Sequence, residues 1–264
     1  MAKLIAFCEA AADFRTASGL LDRVLREEGP PWIADLIDEH PDAVRIWHLD
    51  GAGRAFFDVH AWRAYVKQLS IRVPHGHFDG RPGGAGALMA RTVFQIVRAL
   101  NRRPNEEAIE AVVLVWDMDD QPDARRGGLT SARTEARCWA AFEIVLGCAN
   151  PMREAWVLAG FDPAHDDERA RLEAARRELG FSPSEHAHRL DAKDEQAKLS
   201  AKRVLRALVD GDPEREARCW SETPLETLRA RGEASGLREY LDEVSQLVLP
   251  RCERAVSASS GRRR

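Results

Sequence analysis

Cysteine pairs that would mark a disulfide framework or a zinc site are missing from this sequence. The chain has five cysteines, Cys8, Cys138, Cys148, Cys219 and Cys252, and no two of them form a CxxC pair. An odd number of cysteines without such a pair argues against disulfide cross-linking and against a cysteine zinc site. We therefore predict a reducing compartment, and the cytoplasm is the expected location.

Long apolar runs and an excess of positive charge are missing as well. No stretch approaches the ~18 apolar residues that a membrane-spanning helix needs, and the apolar run at the N-terminus is too short for a signal peptide. We therefore expect no membrane association. The formal net charge is −4, whereas a protein that holds duplex nucleic acid by charge alone is usually basic. Any nucleic-acid contact must then come from a local patch or through a partner.

The patterning that is present predicts an α/β fold. Residues 4–8, 111–116 and 144–148 are unbroken apolar runs, and helical patterns separate them. Such runs are typical of strands that are covered on both faces, as in a parallel sheet. The alternation of strands and helices predicts a three-layer, mostly parallel sheet with helices on both faces.

From residue 166 onwards the pattern becomes helical and highly charged. We therefore divide the chain into an α/β core at residues 1–165 and a helical C-terminal region at residues 166–264 that packs on the core. Residues 256–264 are expected to form a disordered tail.

Carboxylates follow two of the predicted strands. Asp117 and Asp119 come directly after residues 111–116, Asp120 adds a third acid, and Glu9 with Asp13 follows the first run. Ligands collect at the carboxyl ends of parallel strands, and clustered carboxylates repel one another unless a cation neutralises them. Hard oxygen ligands suit Mg²⁺. The alternative is a solvated loop whose aspartates cap the next helix.

Taken together, Glu9 with Asp13 and the segment Asp117-Met118-Asp119 resemble the two motifs of the Toprim domain, the catalytic domain shared by topoisomerases, primases and some nucleases. In that family a strand ending in Glu-Gly and a strand ending in Asp-x-Asp bring carboxylates together around Mg²⁺. The resemblance implies that Asp117 and Asp119 hold Mg²⁺ or Mn²⁺, with Asp120 and Asp13 as further metal ligands. It also implies that Glu9 acts as a general acid/base or as a bridging ligand.

Two departures from the Toprim pattern stand out. Ala10 replaces the glycine that follows the glutamate, and glycine is the residue that permits a close backbone approach. The distance along the chain from Glu9 to Asp117 also exceeds what a minimal Toprim core needs. The resemblance therefore implies an insertion near residues 40–86.

A narrower resemblance concerns residues 150–159, Asn-Pro-Met-Arg-Glu-Ala-Trp-Val-Leu-Ala. They look like a segment of an uncharacterised prokaryotic family of Toprim-like proteins, often encoded beside ATPases in anti-phage or mobile-element neighbourhoods. Residues 186–190 and Lys202 are similar to the downstream part of that family. This resemblance implies that Glu154 is a further metal ligand and that Arg153, His188 and Lys202 bind phosphate. It also implies an ATPase as partner protein.

The expected function is a Mg²⁺-dependent nuclease that acts on DNA or RNA, as the effector of a prokaryotic antiviral defence system. Two alternatives stay open. Because Ala10 replaces the glycine of the motif, the first alternative is a non-catalytic, Toprim-like sensor or assembly subunit. The second is a metal-dependent nucleotidyl or glycosyl transferase, which also contains an Asp-x-Asp segment. No oligomeric state follows from the sequence.

Overall fold

The computed structural model describes residues 1–78 and 80–261, and side chains as far as residue 256 apart from residue 79. Within them the strands are β1 (Ala2–Cys8), β2 (Arg45–Trp47), β3 (Phe57–Asp58), β4 (His77–Phe78), β5 (Arg81–Pro82), β6 (Ala111–Asp117) and β7 (Glu143–Ala149). One parallel sheet has the order β2-β1-β6-β7, and β3 also pairs with β1. The two remaining strands, β4 and β5, form an antiparallel hairpin.

The helices of the N-terminal part are α1 (Ala11–Glu28), α2 (Pro31–Glu39), α3 (Pro41–Val44), α4 (Trp62–Gln68), α5 (Ala87–Leu100), α6 (Pro122–Ala136) and α7 (Arg153–Ala159). Those that follow are α8 (Asp166–Leu179), α9 (Ala201–Val209), α10 (Pro213–Ser221), α11 (Leu225–Arg231), α12 (Leu237–Glu243) and α13 (Leu249–Gly261). A π-helical segment, Val244–Val248, joins the last two. None of the helices in the described ranges is long and apolar enough to cross a membrane.

The three unbroken apolar runs form strands of one sheet, as predicted: β1 and β6 lie at its centre and β7 at one edge. Both faces of the sheet are covered. Side chains of β1 alternate between two cores: Leu4 and Ala6 face one core, whereas Ile5 and Phe7 face the other. The same alternation holds along β6, which pairs with β1 so that Leu4 lies opposite Ala111. The predicted α/β class and the mostly parallel sheet are confirmed.

Helices lie on both faces of the sheet. Side chains of α4, α5 and α6 fill one core. The other core contains side chains of α1, α2 and α7 together with side chains of the helices from α8 to α13. Tyr240 of α12, for example, is buried and donates a hydrogen bond to the carbonyl of Ala17 in α1, at 2.7 Å. The helical region after residue 166 therefore packs against the sheet and α1.

The C-terminal end differs from the expectation of a disordered tail. The backbone of residues 256–261 continues α13, because this helix ends at Gly261. The rest of the predicted tail, residues 262–264, lies outside the described residues.

The segment near residues 40–86 adds β2 and β3 to the sheet beside β1 and then continues outside the sheet. First β2 pairs with the start of β1, and after a loop β3 pairs with its end at Cys8. The glycine-rich stretch before α5 is explained by close packing. Gly86 has a positive φ of 78°, and a β-carbon there would overlap the ring of Trp116. Gly128 likewise leaves room for the carbonyl of Ala85.

Candidate acidic site at the carboxyl edge of the sheet

The carboxyl ends of the parallel strands bring several acidic residues to one edge of the sheet. Glu9 directly follows β1, and Asp117 is the last residue of β6. Glu154 lies in the first turn of α7, shortly after β7 ends. Asp13 lies in the first turn of α1. The charges of Glu9, Asp13 and Glu154 all act on Asp117, so these four carboxylates form one electrostatic cluster.

Asp117 is the centre of this cluster. Its carboxylate is partly buried, and one oxygen accepts a hydrogen bond from the backbone N–H of Arg153, at 3.0 Å. Burial raises the pKa of Asp117 to about 8, and the negative charges of Glu9, Asp13 and Glu154 contribute to the rise. The single backbone hydrogen bond opposes this shift only in part. At neutral pH the site therefore favours either a proton or a cation at Asp117.

Arg153 supplies a positive charge inside the cluster, but four neighbours share it. Its side chain is only 7% exposed. One terminal nitrogen donates to Glu216 at 2.6 Å and to Thr16 at 3.2 Å, and the other donates to Glu154 at 3.0 Å. The Nε atom lies 3.7 Å from a carboxylate oxygen of Asp13. Arg153 is therefore an internal counter-ion of three carboxylates, and its expected contact with phosphate stays a prediction.

Glu9 and Asp13 flank the first turn of α1. Asp13 accepts a hydrogen bond from the backbone N–H of Ala10 at 2.8 Å and so caps the helix. Glu9 lies 3.4 Å from Nε2 of His60, at the exit from β3. Burial raises the pKa of both carboxyl groups. Ala10 has an ordinary extended backbone, with φ −144° and ψ 165°, so its conformation does not require the glycine of the Toprim motif.

Asp119 lies at the same edge, but its carboxylate has a partner of opposite charge. Arg125, in the first turn of α6, approaches one Asp119 oxygen at 2.7 Å and donates to the backbone carbonyl of Asp117 at 2.5 Å. The guanidinium of Arg125 lies over the ring of Trp116, 4.8 Å from its centroid. Asp119 has a positive φ of 47°, a turn conformation that aspartate tolerates better than most residues. In this conformation Arg125 neutralises Asp119.

The remaining predicted residues lie further out. Asp120 is exposed and pairs with Lys193 at 2.9 Å. Lys202 pairs with Glu195 at 2.9 Å. This contact raises the pKa of Lys202, and the charges of Glu154 and Asp117 add to the rise. The ring of His188 packs against the ring of His186, with 6.0 Å between their centroids. Burial lowers the pKa of His188.

The chemistry of the cluster suits a hydrated hard cation better than an ion held by protein ligands alone. Within residues 1–78 and 80–261, no group of three or more His, Cys, Asp or Glu side chains is arranged to hold a metal ion. Mg²⁺, however, keeps several waters and typically binds to one or two carboxylates. Glu9 and Asp117 offer two such groups, and burial first and the neighbouring negative charges second raise the pKa of Asp117, which a bound cation would lower.

Sequence reasoning missed several members of this edge. His60 and Arg125 contact the predicted acids directly, and Thr16 and Glu216 hold Arg153. The position of Arg125 was a usable signal, because it lies in the first turn of the helix that follows the Asp-x-Asp segment. No local sequence pattern could have indicated Glu216, because it is 63 residues away from Arg153 along the chain.

Comparison of the chain with protein-family models gave no match, and comparisons with curated proteins and with solved structures gave none either. The resemblance to Toprim proteins therefore stays a prediction from the sequence motifs.

Proposed function

We propose that this protein is a Mg²⁺- or Mn²⁺-dependent phosphodiesterase that cleaves DNA or RNA at the acidic edge of its sheet. The observation that carries the proposal is the state of Asp117, which is partly buried among like charges and has a pKa of about 8. A carboxylate in such surroundings is costly to the fold, and perturbed groups of this kind concentrate at functional sites. The Toprim-like arrangement of Glu9 after β1 and Asp117 after the neighbouring β6 supports the same assignment.

Asp117 and Glu9 are the residues that would hold the cation, and Asp119 would join them once Arg125 releases it. A divalent cation bound there supplies charge neutralisation at a scissile phosphate and favours deprotonation of a water molecule. Glu9 would serve either as a ligand of that cation or as the general acid/base, and burial raises its pKa in the direction that favours proton transfer. His60 contacts its carboxylate and restricts its orientation.

The partner and the biological setting rest on the sequence resemblance alone. That resemblance places an ATPase beside the chain, in an antiviral defence system. A cleavage assay should therefore be run both with the isolated chain and with an ATPase encoded next to it.

A non-catalytic role is the second candidate, and the ion pairs of two arginines favour it. Arg125 neutralises Asp119, and Arg153 contacts Asp13, Glu154 and Glu216. If these arginines stay in place, the edge is a structural cluster and the domain serves as a sensor or an assembly subunit.

The deciding experiment compares wild type with Asp117→Asn. The chain is incubated with labelled single-stranded and duplex DNA and RNA, in Mg²⁺, in Mn²⁺ and in EDTA. We expect cleavage with the divalent cations only, and a loss of at least about 100-fold in Asp117→Asn. Asp167→Asn removes an exposed carboxylate in the first turn of α8 and is the matched control. A fully active Asp117→Asn protein would exclude this site. Absence of cleavage and of cation binding in wild type would favour the non-catalytic role.

A further inference from the structure

A second charged feature lies beside the acidic edge. A cleft of about 470 Å³ separates α9 from the loop that precedes it, and we name it the α9 cleft. Its lining includes Glu195, Gln196, Lys202, Arg203, Arg206 and Asp210. A space of this size lies in the range of small-ligand sites and holds one or two nucleotide units, whereas a duplex needs a broader surface.

Positive charge dominates the wall that α9 contributes to this cleft. Lys202 and Arg206 are exposed and four residues apart, so they lie on the same face of the helix, about 6 Å apart along its axis. Arg203 lies next to them and pairs with Glu178 at 2.8 Å. Among the ion pairs formed by the described residues, none includes Arg206. Its guanidinium is thus available to an anion.

Lys202 connects the α9 cleft with the acidic edge. Its ammonium group pairs with Glu195 in the cleft at 2.9 Å, and α9 packs against α7, whose first turn carries Glu154. An acidic edge alone repels a polyanion, because its carboxylates and the phosphates carry the same sign. A row of cations that ends at this edge supplies the attraction that the carboxylates lack.

We propose that the α9 cleft binds the phosphodiester backbone of one nucleic-acid strand and leads it to the acidic edge. Lys202, Arg203 and Arg206 contact its phosphates. This inference rests on the proposed function, because it takes the strand to be the substrate of the acidic site. It names the part of the molecule that holds the substrate and predicts a preference for single strands over duplexes.

The test measures binding in EDTA, so it does not depend on cleavage. Fluorescence anisotropy follows fluorescein-labelled oligothymidylate and oligouridylate about 12 nucleotides long, a length within the range of known single-strand sites. Arg206→Gln and Lys202→Gln should each weaken binding by about 3- to 10-fold. Each should also reduce the slope of log K against log salt by about 0.7, the contribution of one phosphate contact in a single strand.

Two further variants make this test specific. Arg72→Gln removes an exposed arginine from the loop after α4, outside the cleft, and should leave the affinity and the salt slope unchanged. Glu195→Gln should tighten binding by a few fold, because it releases Lys202 from its ion pair. Melting temperatures of all variants establish that each one is folded.

The outcomes separate this inference from the proposed function. A chain that binds the strand through Arg206 and Lys202 but never cleaves it refutes the nuclease and leaves the cleft assignment standing. A chain that cleaves, and whose Arg206→Gln and Lys202→Gln variants bind with wild-type affinity and slope, refutes the cleft assignment. The cleft assignment is also refuted if wild type binds no oligonucleotide at low salt, or if it binds a duplex as tightly as a single strand.

Discussion

Glu168 and Asp117 are two carboxylates on the same molecule whose surroundings have opposite effects. Glu168 is 1% exposed, yet its pKa is held at about 2 because Arg215 donates to both of its oxygens, at 2.6 and 3.0 Å. Asp117 has a pKa of about 8, and among the described residues its carboxylate accepts a hydrogen bond from one backbone N–H, that of Arg153. Burial disfavours the charged form of both groups. What differs is the supply of positive charge.

That difference distinguishes a structural ion pair from the proposed cation site. Arg215 forms its only ion pair among the described residues with Glu168. Arg153, in contrast, is divided among Asp13, Glu154 and Glu216, and it offers Asp117 only its backbone N–H. The first arrangement is electrically balanced and stabilises the fold. The second leaves negative charge that a bound cation would relieve, as expected where a fold trades stability for function.

The largest expected effect comes from breaking the balanced pair. Arg215→Ala leaves the buried Glu168 carboxylate without its arginine, with only the backbone N–H of Ala164 at 2.7 Å and Nε2 of His165 at 3.6 Å beside it among the described residues. Breaking a buried pair in this way typically costs about 3–5 kcal/mol. Urea unfolding at pH 7 measures the loss. The matched control is Arg169→Ala, which removes the exposed ion pair between Arg169 and Asp166. It should lower the free energy of unfolding by less than about 1 kcal/mol. Equal losses in the two variants would show that the contrast between buried and exposed pairs does not hold here.

An intermediate effect is expected from Asp117→Asn, and its sign depends on pH. The pKa of Asp117 rises from 3.8 to about 8 on folding, so its contribution to stability is fully present below pH ~4 and is lost as the pH rises through 8. Asparagine cannot ionise. The variant should therefore lose this part of the pH dependence and exceed wild type in stability by about 1–3 kcal/mol at pH 8–9. Urea unfolding from pH 4 to 9 measures the difference.

Mg²⁺ provides the matched control for that comparison. At a concentration 100-fold above its dissociation constant, a ligand that binds only the folded state stabilises it by about 2.7 kcal/mol. Wild type should gain this stability at pH 8, whereas Asp117→Asn should gain little. A wild-type protein whose stability neither falls between pH 5 and 8 nor responds to Mg²⁺ would contradict the view of Asp117 as a cation ligand.

The sequence predicted the central strands because their pattern is local. Residues 4–8 and 111–116 are unbroken apolar runs, and they became β1 and β6 in a single parallel sheet. The two-residue strand β3 has no such pattern, and it exists because Phe57 and Asp58 pair with the end of β1. His60 follows that strand, and its contact with Glu9 was therefore missed.

The positions of the acids were predictable, but their partners were not. Glu9 and Asp117 could be placed at the edge of the sheet because both follow apolar strands. The neutralisation of Asp119 by Arg125 depends on how α6 turns away from β6, and the contact of Arg153 with Glu216 depends on the packing of α7 against α10. Such contacts depend on tertiary packing, which no local pattern records. They nevertheless decide which carboxylate stays without a counter-ion.

The smallest expected effect would show whether Asp119 belongs to the cation site. The ion pair of Arg125 with Asp119 is partly exposed, so Arg125→Gln should cost less than about 1 kcal/mol of unfolding free energy. The same change removes a positive charge from the acidic edge and frees a carboxylate. Mg²⁺ affinity, measured by calorimetry, should therefore tighten by about 3- to 10-fold. Arg126→Gln is the control, because Arg126 pairs with Glu239 of α12, and it should leave the affinity unchanged. If Arg125→Gln also leaves it unchanged, Asp119 is not a ligand, and the cation is held by Asp117 and Glu9 alone.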